Sequence, residues 1–314
     1  VIVLSQDRAQ ILKPLLERHL AAFDTRSRRA EDPVEFSHRY SRREDIEVTA
    51  LISCCLAYGR VDLFRPKLAA LFEFMGESPA DFVSHFDPAK REHRRGFEGF
   101  VYRFNLAGDM GLLTAGIGRL LREHGSLEAA WPRELPLQQA LSAFVAKIRS
   151  HPQEKIIAEL GPIRGLDHLL PEPMRGGSCK RLLLFLRWMV RGPDEVDFGL
   201  WSSVPRSKLV IPLDTHIGRI SKHLGLTDRT DLSWRTAEEI TDGLRLIDPD
   251  DPVKYDFVLC HTGMSGACPS RLSAEHCRVC SLQPACRTGR RKVRSRVGSG
   301  RRRGRDLETG PLAG

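Results

Sequence analysis

Along most of the chain the apolar residues recur three and four positions apart, the spacing that lines one face of an α-helix. No alternating series marks a strand or a hairpin. Ser5 can cap a first helix running to about Ala22, with Ile11, Leu15, Leu16 and Leu20 on one face. Asp45 to Tyr58 reads as a buried helix, and Pro66 to Met75, Met110 to His124 and Leu137 to Ile148 as further ones. Lys180 to Val190 (KRLLLFLRWMV) is apolar nearly all round, which suits a central helix. Another helix begins near Asp214. Ser233 can cap Trp234 to Ile247, which DPDDP ends, and Val253 to Thr262 completes the series. The connection from Arg191 to Pro212 is long for a helical domain, as functional loops often are.

The pattern predicts an all-α protein, with residues 1–286 forming the core. No apolar run approaches the roughly 18 residues that a membrane span needs, and Leu182 to Val190 is short and interrupted by Arg187. The start of the sequence lacks a basic stretch followed by an apolar run, so a cytoplasmic protein is expected. Net charge is +9, but its distribution changes its meaning. From Arg287 onward there are ten Lys or Arg against Asp306 and Glu308, a contribution of +8 that leaves +1 for residues 1–286. Nucleic-acid affinity in the folded part must therefore come from a local patch. The tail, 287–314, is rich in Gly, Ser and Arg and is expected to be disordered, as a solubilising end or a phosphate-binding arm.

Eight cysteines are present, and Cys268, Cys277, Cys280 and Cys286 are spaced C-x8-C-x2-C-x5-C. Four thiolates in one compact loop, 261–286, suit a [4Fe–4S] cluster or a tetrahedral zinc, and the spacing does not choose between them. Disulfides are disfavoured without a sign of export. Cys54, Cys55, Cys179 and Cys260 read as small core residues.

The cysteine loop, taken together with Ile211 to Ile220 (IPLDTHIGRI), resembles the endonuclease III branch of the helix-hairpin-helix DNA glycosylases. That branch carries a V-D-T-H-I-x-R-V signature and a C-x6-C-x2-C-x5-C loop; here the first gap is two residues longer. The likeness covers roughly residues 46–286, and the nearest kin is an uncharacterised side branch classed as a domain of unknown function. It implies a two-lobed helical fold acting as a monomer on double-stranded DNA, removing a damaged or mispaired base. Leu170 to Lys180 (LPEPMRGGSCK) stands where the family's hairpin reads L-P-G-V-G-x-K. Gly176, Gly177 and Ser178 then fall on the phosphate-holding amides, and Lys180 on the family's lysine. Ser178 replaces the second glycine of that pair, and extra residues separate Leu170 from Gly176.

Breaking a base–sugar bond develops positive charge on the sugar, which a nearby carboxylate can stabilise. Asp214 is the candidate, and an aspartate at that place can equally cap the following helix. Lys180 is the candidate nucleophile for strand cleavage, which needs a depressed pKa. Its alternative role is phosphate contact. The two stand 34 positions apart (214 − 180), about twice the family's separation. A flipped base needs a pocket, for which Tyr58, Trp201 and Phe198 are stacking candidates and also ordinary packing aromatics. Leu56 to Gly59 occupies the family's strand-probing position. His216 and His261 read as structural neighbours of the site. The alternative to an enzyme is an iron–sulfur nucleic-acid-binding protein that keeps the fold without the chemistry.

Overall fold

The structure is a computed structural model that describes residues 4–300. It is mostly helical. Sixteen α-helices follow in order: α1 Gln6–Ala21, α2 Thr25–Arg29, α3 Arg43–Leu56, α4 Val61–Met75, α5 Pro79–His85, α6 Arg91–Arg94, α7 Ala107–His124 and α8 Leu137–Arg149. Then come α9 Glu154–Leu160, α10 Leu166–Leu169, α11 Lys180–Val190, α12 Thr215–Leu224, α13 Trp234–Arg245, α14 Asp256–Met264, α15 Ala274–Arg278 and α16 Arg287–Gly300. Pro33–Arg39, Pro173–Arg175 and Arg206–Lys208 are short 3-10 turns. No described helix is long and apolar enough to cross a membrane.

Capping explains several starts. Ser5, Asp214 and Ser233 each accept amides of the helix they precede, as Ser and Asp do at these positions. The central helix of the sequence pattern is α11, which buries Leu182, Leu183, Phe185, Leu186, Trp188 and Met189 and packs against α3. The closest helix pairings fall into two sets over one continuous apolar core. One set gathers α3, α4, α5, α7, α8, α9 and α11; the other gathers α12, α14, α15 and α16. Helix α1 is fastened to the second set by Arg8, whose guanidinium donates to the carbonyls of Leu224 (3.1 Å) and Ala285 (3.0 Å).

Four expectations change. A two-stranded hairpin, β1 Val101–Tyr102 and β2 Asn105–Leu106, exists where no alternation announces it, because each strand has only two residues. Helix α4 begins five residues before Pro66, which it accommodates within its length. The segment from Arg191 to Pro212 is not an open loop: Val196, Trp201 and Val204 are buried in the core, so its length serves packing. Residues 287–300 of the basic tail are helical, where disorder was expected from composition. The rest of that tail, 301–314, lies outside the described residues.

Candidate active site

Helices α11 and α12, one from each packing set, start beside each other. The chain reaches α11 through a bent approach: Gly176 ends the 3-10 turn at φ 84°, and Cys179 sits at φ 46°. A non-glycine residue there costs about 1–2 kcal/mol, and the turn delivers Lys180 as the first residue of α11. Asp214 is the N-cap of α12, its Oδ1 accepting the amides of His216 and Ile217 at 2.9 Å each. Its other oxygen accepts from Lys180 Nζ at 2.7 Å. The capping and charge-bearing roles thus divide between the two oxygens of one carboxylate.

Lys180 keeps 32 % of its side chain exposed and Asp214 17 %, so the pair is largely buried and still reached by solvent. Burial acts to lower the Lys180 pKa, but the Cys260 sulfur and the Asp214 carboxylate outweigh it and hold the lysine well above its ordinary value. Burial keeps Cys260 itself a thiol, far above the usual range, so the charges acting on Lys180 near neutrality are those of Asp214 and, less, of Asp256. Burial likewise works to raise Asp214, and Lys180 with the Ile217 amide brings it below the ordinary carboxylate value. Each partner keeps the other ionised. The depressed lysine that a nucleophile requires is not the resting state here.

The cleft is made of three neighbouring hollows that share lining residues. One part, about 380 Å³, is bounded by Ala57, Tyr58, Gly59, Ser178, Lys180 and Arg181. A narrower part, about 120 Å³, shares Ala57, Gly59 and Lys180 and reaches to Asp256 and Cys260. A third, about 490 Å³, shares Val61, His261 and Met264 with it and opens toward Arg28 and Arg65. Gly59 is required at φ 79°, where a Cβ would lie 2.7 Å from the Arg103 guanidinium and 2.9 Å from the Tyr102 hydroxyl.

The glycine turn is tied down. Gly177 bridges to Ser233, the Ser178 amide donates to Leu232 O (3.2 Å), and Gly176 donates to Pro173 O (3.1 Å). Two of the three amides assigned to phosphate are therefore spent inside the protein. That leaves the Gly177 amide, beside the free first-turn amides that any helix presents, here those of α11.

Other residues resolve into roles. Tyr58 borders the cleft with its hydroxyl on Asn105 Oδ1 (2.6 Å) and the Arg181 guanidinium 4.9 Å from its ring. Trp201 is a core side chain donating to buried Glu47 at 2.7 Å, and Phe198 packs on His38, so neither is a stacking surface of the cleft. His216 lies against α14, where Gly263 leaves it room: a Cβ there would stand 2.8 Å from the imidazole. His261 borders the cleft and meets Asp32 at 3.3 Å. Arg181 was not singled out in the sequence, yet its guanidinium joins α3 to α10 by donating to the carbonyls of Cys55 and His168.

Cys268, Cys277, Cys280 and Cys286 are all free thiols. Burial pushes Cys268 up to about 11, with Cys280, Cys286 and Cys277 adding to the rise. The Gly289 amide donates to Cys286 Sγ at 3.1 Å. Among the described residues no three His, Cys, Asp or Glu side chains are drawn close enough to hold a metal ion. In kind, four sulfurs are donors suited to a thiophilic metal, and the Gly289 amide is already aimed at one of them.

A family model, described as a protein of unknown function (DUF2400), matches residues 32–265. The chain belongs to that family. The DUF2400 region contains Lys180, Asp214 and the cleft apart from Arg28, Ala30 and Glu31 at its outer end, and stops short of Cys268. No curated protein and no solved structure matches this DUF2400 chain.

Proposed function

We propose that this protein is a DNA N-glycosylase of the helix-hairpin-helix type, acting on an altered base flipped into the cleft. The observation that carries the reading is the Lys180–Asp214 pair, 2.7 Å apart at the starts of two helices, with Lys180 lining the cleft and Asp214 partly exposed beside it. Asp214 is held as a carboxylate, the form that stabilises positive charge developing on a sugar. The C1′–N bond breaks with its electron pair leaving on the base, water adds to C1′, and the water's proton passes to the carboxylate or to solvent. Lys180, held as an ammonium, donates hydrogen bonds and does not attack, so the geometry supports base removal without strand cleavage. Lys180 and Arg181 supply positive charge at the inner part of the cleft for phosphate, while Arg28 and Arg65 at the outer part are paired with Glu31 and Glu35. Cys268, Cys277, Cys280 and Cys286 would hold a [4Fe–4S] cluster or zinc, which supplies a brace for the loop, since four thiolates leave no position for substrate.

The occupied amides of Gly176 and Ser178 favour a second reading, a nucleic-acid-binding protein without chemistry. Base release from a panel of damaged duplexes separates the two. Product from the wild type and none from Asp214→Asn, with equal DNA affinity, is the expected result. No product from either, in protein that binds DNA, selects the second reading.

A further inference from the structure

Beneath Lys180 lies a buried ion network. The Arg187 guanidinium donates to Asp197 Oδ1 (3.1 Å) and to Asp256 Oδ2 (2.5 Å), with the three side chains 0–3 % exposed. Asp197 is also met by Arg191, which binds Asp251 at 2.9 Å. Asp256 is served from one side only. Its Oδ1 is the one buried carboxylate oxygen among the described residues without a hydrogen-bond partner. A buried acceptor left unmade costs free energy, and such groups call for an explanation.

Asp256 lines the narrow part of the cleft together with Lys180. Leu184, Phe64 and Phe257 supply apolar walls there. Lys180 spends one N–H on Asp214 and has two more to give. The space therefore offers an ammonium donor on its rim, a buried carboxylate acceptor in its wall and hydrocarbon around them. At about 120 Å³ it holds the volume of about four liquid waters, which suits a single six-membered ring.

We propose that Asp256 and Lys180 together read a lactam edge, a ring carbonyl flanked by N–H, so that the pocket selects a uracil-type base over cytosine. Lys180 donates to the carbonyl and Asp256 Oδ1 accepts the adjacent N–H. Cytosine presents the reverse order, an amino donor beside a bare ring nitrogen, and sets donor against donor and acceptor against acceptor. Mismatched buried polar groups discriminate far more strongly than missing apolar contacts. Asp256 is thus a specificity-determining residue, and Arg187 its positioning residue.

The inference rests on the reading that this cleft receives a flipped base, and its test uses free bases, for which no bond need break. Binding of 1-methyluracil, 1-methylcytosine and 1,3-dimethyluracil, whose N1 methyl stands where the sugar would, is measured on the full chain by calorimetry, for wild type and Asp256→Asn. 1-Methyluracil should bind at least about tenfold more tightly than either of the others. 1,3-Dimethyluracil keeps both carbonyls and has no N–H, so it tests Asp256 in wild-type protein even if the variant does not fold. In folded Asp256→Asn the preference should fall to near unity. Equal binding of the three bases, or binding of none, overturns the proposal. A clear uracil preference in protein that releases no base from any duplex leaves it standing and removes only the glycosylase reading.

Discussion

Lys180 Nζ lies 2.7 Å from Asp214 Oδ2, and the bond joins the first residue of one helix to the cap of another across the two packing sets. The same contact therefore fixes a charge at the cleft and the relative placement of the two helices.

Its pH dependence follows from the directions of the two shifts. Asp214 is lowered in the fold, so its contribution is present above the ordinary carboxylate value of 3.8 and is lost as pH falls through the lowered one. Lys180 is raised, so its contribution is present below 10.5 and is lost as pH rises through the raised one. The urea-midpoint difference between wild type and Asp214→Asn should be constant across neutral pH and shrink below about pH 4. A difference that survives unchanged at pH 2.5 would show that the pair contributes nothing as ions.

His168 gives an opposite kind of acid sensitivity, of a base kept neutral. Burial, with Arg181 and Arg103 adding to it, lowers it from 6.5 to about 4. The unfolded chain takes up a proton below 6.5 that the folded one refuses, so stability is full above 6.5 and declines down to about 4. His168→Gln should flatten that decline in thermal melts taken between pH 7 and pH 4. Parallel declines in both proteins would assign the acid sensitivity elsewhere.

Arg187→Met should be among the most damaging single changes. It strands the Asp256 carboxylate in the core, and breaking a buried pair by removing one partner costs roughly 3–5 kcal/mol. Urea denaturation measures the loss. A cost under about 1 kcal/mol would mean that Asp256 is neutral in the fold, which would also undercut its role as an acceptor.

Cys280→Ala should abolish bound metal and lower the melting temperature, because one of four sulfurs is missing from the loop. Iron, acid-labile sulfide and zinc are assayed in both proteins. Full metal content in the variant would remove Cys280 from the ligand set.

The limits of α11, Lys180–Val190, match the sequence pattern to the residue, because a sustained apolar helix has a strong period. The caps at Ser5, Asp214 and Ser233 were legible for a similar reason, being local chemistry. Arg187 was visible only as an interruption of an apolar run. Its partners lie 10 and 69 positions away, a separation that periodicity does not encode. Asp256 was hidden in the same way, inside a helix expected to be apolar. The engaged amides of Gly176 and Ser178 escaped as well, since they depend on Pro173 and on the distant Leu232.

The bond from Arg8 to Ala285 spans 277 positions. A growing chain exposes α1 before the elements it docks on, and that helix finds this berth only when Leu224 and the segment beside Cys286 have been made. A helix synthesised ahead of its partners must wait for them, and contacts of such separation carry the heaviest loop-closure cost. Helix α1 thus works as a latch on the cysteine loop that can close only after that loop exists.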